Sequence, residues 1–150
     1  MQSLLETVKS FGLTEFYFSL TVEDKTDLAG YSRHLPCAPL KSNNCSPGCD
    51  ACFMVVNGAQ FLWVTAANAI PDKKLKFAER LLIHALDIAT DPEDVAWIHA
   101  NLAQLYYDDH KYDPEAGRKS ILHCRELIKL GYMKPWAKNM IDELMVFQVQ

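Results

Sequence analysis

Apolar residues in the second half of the chain recur with the spacing of an α-helix. Leu75, Ala78, Leu82, Ala85 and Ala89 fall three or four residues apart, and Leu81, Leu86 and Ile88 widen the stripe. A helix is therefore expected from about Lys73. A second is expected from about Pro92 through Val95, Ile98, Leu102, Leu105 and Tyr106, and a third after Asp113, presenting Ile121, Cys124, Leu127 and Ile128. These two open on the same tripeptide, Asp91-Pro92-Glu93 and Asp113-Pro114-Glu115. An Asp side chain accepts from orphan backbone N–H groups, Pro fits the first helical position, and the following acid suits the positive end of the helix dipole. Gly131 closes the third helix, and Pro135 with Trp136 opens a fourth that runs to about Phe147. Turns of a few residues between such helices force them to pack as antiparallel neighbours.

The first half is less uniform. Ser3-x-x-Glu6 is a capping-box pattern, Leu4, Val8 and Phe11 share one helical face, and Gly12 stops the helix. Phe16, Phe18, Leu20 and Val22 then alternate with polar residues, and that period of two predicts a strand. A strand needs a partner for its backbone groups. Phe53–Val56 and Ala59–Val64, joined by the hairpin dipeptide Asn57-Gly58, would supply one. The competing reading makes an Ala-rich helix from about residue 59, and this is the preferred one.

An internal repeat supports the helix. LeuIleHisAlaLeuAspIle at 82–88 matches IleLeuHisCysArgGluLeu at 121–127 with a shift of 39 residues, and the same shift sets 61–69 beside 100–108. Each half then reads as a helical hairpin whose long helix carries a His beside a small residue, His84–Ala85 and His123–Cys124. AlaTrp at 96–97, LeuAla at 102–103, Tyr106 and Tyr112 give residues 60–132 a resemblance to tetratricopeptide-type helical repeats. The period is longer than the usual length of about 34 residues. The resemblance implies an architecture of antiparallel hairpins and a groove for a protein or peptide; it assigns no binding residue.

The fold class that follows is mainly α: tetratricopeptide-like hairpins plus a C-terminal helix, preceded by a Cys-rich region with room for a short β element. Residues 1–58 form the Cys-rich N-terminal region and residues 59–150 the helical-repeat region. Composition changes this picture in one place. Apolar residues make up 49% and charged residues 23% of the 150, an ordinary globular mixture that can bury a core without metals or disulfides. The net charge of −4 argues against binding a nucleic-acid backbone. Ala51 to Pro71 contains no charged residue, but Asn57, Gly58, Gln60, Thr65 and Asn68 mark it as buried core rather than a membrane span. The unusual feature is five cysteines, four of them between Cys37 and Cys52.

Those four follow the pattern Cys-x7-Cys-x3-Cys-x2-Cys, as Cys37, Cys45, Cys49 and Cys52, in a segment rich in Pro, Ser, Asn and Gly. Turn-rich chain lets four thiolates converge on one ion. With no secretory signal at the N-terminus, a reducing cytoplasmic setting is expected, where clustered thiols bind metal more often than they pair. Structural Zn²⁺ is the first expectation and a [4Fe–4S] cluster the second. His34 and Asp50 flank the cluster and read as surface residues. The final three cysteines resemble the cluster motif of radical S-adenosylmethionine enzymes, but successive helices follow where that chemistry needs alternating strands and helices. Cys124 reads as a small buried hydrophobe.

Catalytic patterns are thin, and the chain reads as a binding protein rather than an enzyme. There is no GxSxG, P-loop, GxGxxG or HExxH. His84, His99, His110 and His123 are candidates for a metal site or general base, with His84 and His123 at equivalent repeat positions, although helix packing explains them more simply. Trp63, Trp97 and Trp136 read as packing residues, and Asp108–Asp109 as a solvated helix end.

Overall fold

The computed structural model describes residues 4–32, 55 and 57–149, and every regular element among these residues is helical. The expected mainly α class is therefore observed. In chain order the elements are α1 Leu4–Ser10, α2 Thr14–Ser19, α3 Val22–Ser32, α4 Gly58–Ala69, a single 3₁₀ turn at Ile70–Asp72, α5 Leu75–Ile88, α6 Pro92–Asp109, α7 Pro114–Leu130 and α8 Lys134–Val149. Their ends follow the expected chemistry. Asp91 and Asp113 each accept from the backbone N–H two residues on, at 2.9 and 3.0 Å. Gly12 and Gly131 take positive φ, 70° and 86°, and let the chain turn back over the last carbonyls of α1 and α7.

The chain divides into two compact units, residues 1–88 and 89–150. In the second, α6 and α7 run antiparallel: His99 meets His123, and Ser120 Oγ donates to the carbonyl of Ala103, so numbers rise on one helix as they fall on the other. Helix α8 returns beside them, with Ser120 Oγ 3.4 Å from Met140 Sδ and Tyr107 donating to Glu143. Ala96, Ala100 and Ala103 give α6 a narrow face that packs with Ile121, Cys124 and Leu127 of α7 and Ala137, Met140 and Leu144 of α8.

In the first unit, α4 and α5 pack through Phe61, Leu62, Ala66 and Ala69 on one helix and Phe77, Ala78, Leu81, Leu82 and Ala85 on the other, all buried. Helices α1 to α3 lie against this hairpin. Phe11 stacks on Phe61 with centroids 5.6 Å apart, and Tyr31 meets Phe77 at 6.1 Å. Along α3 the polar contacts to the 3₁₀ turn and α5 are Tyr31 with Asp72, Asp27 with Lys74 and Asp24 with Arg80. These pairs order α3 antiparallel to α5.

The strand expected over Phe16 to Val22 is replaced by two helices. Leu20 between them is extended, with φ −75° and ψ 151°. The alternation did not mark a buried face, because Phe18 and Val22 are exposed while Leu20 is buried. Thr21 Oγ1 accepts from Asp24 N and starts α3 where a strand would have continued. The hairpin reading of Asn57-Gly58 is likewise overturned, and the preferred helix from about residue 59 is found as α4. Asn57 is its N-cap, with its side chain accepting from Gln60 N at 2.8 Å. Gly58 serves a second need: a Cβ there would lie 2.9 Å from the backbone oxygen of Phe11. Residues 33–54 and 56 of the Cys-rich region lie outside the described residues, and with them the short β element expected there. Among the described residues no helix is long and apolar enough to cross a membrane.

Replacing Gly58 by Ala should destabilise the protein by about 1–3 kcal/mol, because the clash is with backbone and outweighs the usual gain of about 1 kcal/mol from Gly to Ala in a helix. Urea titration followed by circular dichroism measures this; an unchanged or raised midpoint would contradict the packing of α4 against the end of α1.

Candidate functional site

Cys37, Cys45, Cys49 and Cys52, with His34 and Asp50, lie outside the described residues. Among the described residues, no three His, Cys, Asp or Glu side chains group so as to hold a metal ion. Cys124 is fully buried in the α6–α8 core, as expected, and burial pushes its thiol up to about 11 against the opposing effect of a Ser120 hydrogen bond. A thiol so far from ionising is a packing group rather than a nucleophile.

The four histidines separate into distinct environments. His110 caps the end of α6, with Nδ1 against the carbonyl oxygen of Tyr107 and its ring 4.8 Å from the Tyr107 ring. Nearby, Asp108 accepts from Gln104 at 2.9 Å. His123 pairs with His99: the two Nδ1 atoms are 2.8 Å apart, which requires one ring to donate and the other to accept. Tyr106 stacks on His123 at 5.7 Å, and Lys119 Nζ lies 5.3 Å from the Tyr106 ring. Burial lowers both imidazoles. His123 falls to about 4, helped by the charge on His99, and Glu126 opposes the shift in each. The antiparallel turn at 110–113 brings His123 to His99, which sits about equally far from that turn.

His84 belongs to the other unit and stacks flat on Phe16, with centroids 4.2 Å apart and ring planes 9° from parallel. This stack lies in a crevice of about 840 Å³. One wall is the α2–α3 junction, Phe16, Ser19, Leu20, Thr21 and Asp24; the other is one face of α5, Arg80, Ile83, His84, Leu86 and Asp87. Asp24 is buried and ion-paired with the half-exposed guanidinium of Arg80. Ser19 Oγ donates to the Phe16 carbonyl at 2.6 Å, so its hydroxyl is held by its own helix. Ile83 remains 53% exposed at the mouth. The volume and the mixture of apolar and polar lining suit a bound segment or small molecule. Of these residues only His84 stood out in the sequence. The missed signal is Asp24, Asp27 and Tyr31 at helical spacing, which meet Arg80, Lys74 and Asp72. The tryptophans depart from expectation, since Trp97 and Trp136 are exposed rather than packed inside.

No protein-family model, no curated protein and no solved structure matches this chain.

The partly buried histidine pair carries a pH dependence. Because the folded-state values lie below the unfolded value of about 6.5, the unfolded chain binds more protons between about pH 6.5 and 4. The pair's contribution is thus fully present above pH 6.5 and lost as pH falls towards 4, by about 1–3 kcal/mol. Urea midpoints measured from pH 7.5 to 4 should fall more steeply for the native chain than for His123→Gln; parallel curves would contradict the assignment.

Proposed function

We propose that this chain is a protein- or peptide-binding adaptor, built on tetratricopeptide-like helical hairpins and carrying one structural zinc ion on Cys37, Cys45, Cys49 and Cys52. The observation that carries the binding role is the crevice between the α2–α3 junction and α5. It combines apolar side chains, Phe16, Leu20, Ile83 and Leu86, with a few fixed polar groups, Asp24, Arg80 and Asp87. That combination is what holds a short segment of a partner by apolar anchors while polar contacts set its direction. No pairing of nucleophile and base accompanies it in the sequence motifs, so recognition rather than turnover is the role favoured here.

The test is selection of a displayed random-peptide library on the purified full chain, followed by binding measurements on the enriched peptides. Binding is expected for the native chain and should drop at least about tenfold in Ile83→Glu, whose side chain is exposed enough to leave the core intact. Failure to enrich any peptide, or equal binding by the variant, would overturn the groove reading.

The metal role rests on the donor set. Four thiolates in a turn-rich segment satisfy Zn²⁺ completely, and metal binding would order chain that has little apolar sequence of its own. The same donors suit a [4Fe–4S] cluster, which would place the protein in electron transfer or redox sensing. Elemental analysis of protein purified without oxygen should find one zinc per chain, lost in Cys49→Ser and retained in Cys124→Ser. A brown protein containing iron would move the assignment to the cluster, and unchanged metal in Cys49→Ser would refute these ligands.

A further inference from the structure

We infer that the crevice of the first unit accepts a basic amphipathic helix from a partner protein, an inference that rests on the groove reading and names what fills it. The charge balance of the lining carries it. The cation there, Arg80, is already engaged by the buried carboxylate of Asp24. Asp87, two turns further along α5, is exposed and has no ion pair among the described residues. The opposite wall repeats the asymmetry. Its helices α2 and α3 carry the exposed carboxylates Glu15 and Glu23 without ion pairs among the described residues, whereas Lys25 lies over the rings of Tyr17 and Phe18, at 5.3 and 5.5 Å. Among the lining residues the one guanidinium is thus engaged by Asp24 while the Asp87 carboxylate faces solvent, and a ligand that brings Lys or Arg completes the balance.

The apolar part of the lining sets the other requirement. Ile83 and Leu86 on α5 face Phe16 and Leu20 across the crevice, and Ile83 is 53% exposed with no neighbour to cover it fully. Apolar side chains one turn apart on an incoming helix fill such a slot, and their flanking basic residues reach Asp87 at one end. A wholly apolar ligand would leave Asp87 facing it unpaired, and an acidic one would be repelled.

Two peptides of about 14 residues with identical leucine spacing test this, one with Lys and one with Glu at the polar positions, labelled and titrated with the full chain by fluorescence anisotropy. The Lys peptide is expected to bind at least about tenfold more tightly, to weaken as salt is added, and to lose its advantage in Asp87→Lys. Ile83→Glu should abolish binding of both, with circular dichroism confirming that each variant is folded. Equal or tighter binding of the Glu peptide, or an unchanged preference in Asp87→Lys, would overturn the charge assignment and leave the groove reading standing. Binding of neither peptide would overturn both. A dimer in sedimentation that Ile83→Glu dissolves would make a second copy the occupant and overturn the inference.

Discussion

Asp24 is a carboxylate almost sealed from water, and the first unit is organised around the cation it finds. An unpaired charge at such a depth costs several kcal/mol, so α3 must lie where Arg80 can reach it. Once that contact is made, helical spacing brings Asp27 to Lys74 and Tyr31 to Asp72. The hydrogen bond to Asp72 also pushes the Tyr31 hydroxyl up to about 12, keeping it a donor throughout the ordinary pH range. The chain entering α3 is then directed along the later part of α5, which lays Phe16 on His84. The crevice is the space left between the two walls. Its polar end and the register of α3 have the same origin.

The second unit reaches its packing by other means. Alanines at 96, 100 and 103 thin one face of α6, so that α7 can approach it closely, and α8 packs mainly on α7. Polar groups in this layer are few and satisfied within it: Ser120 bonds the Ala103 carbonyl, and the two imidazoles bond each other. A neutral pair of histidines suits this partly buried position, because one hydrogen bond satisfies one nitrogen on each ring without burying a charge. The Asp-Pro-Glu openings of α6 and α7 act at the ends and leave this layer to side-chain volume.

Legibility in the sequence tracks how local each signal is. The starts of α6 and α7 were readable because Asp, Pro and Glu act within three residues of one another. The stripe of α5 was readable because one broad face is buried. Phe16 to Val22 misled because the last four residues of α2, the break at Leu20 and Thr21, and the first residue of α3 produce alternation without a sheet. Asn57-Gly58 misled for a different reason. The same two residues serve a tight turn or a helix cap, and Gly58 is required besides by the distant carbonyl of Phe11, which leaves no room for a Cβ. The crevice was unreadable for that reason too. Asp24 and Arg80 are 56 positions apart, and nothing local announces that they meet. His99 and His123 were closer to legible, since a hairpin with a known turn pairs residues equidistant from it.

These differences bear on how the crevice would work. Helix α5 has a wide apolar stripe and a packed partner in α4, so its wall persists through its own hairpin. Helices α2 and α3, of 6 and 11 residues, are too short to be stable alone. Their wall is held by contacts to distant parts of the chain, Asp24 with Arg80, Asp27 with Lys74, Tyr31 with Phe77 and Phe16 with His84. Local stability therefore falls from one side of the crevice to the other, and a ligand touching both sides adds contacts where the protein has fewest. Part of the free energy of binding would go into holding α2 and α3 in place. Affinity at such a site is governed less by the area covered than by how completely the weaker wall is already formed.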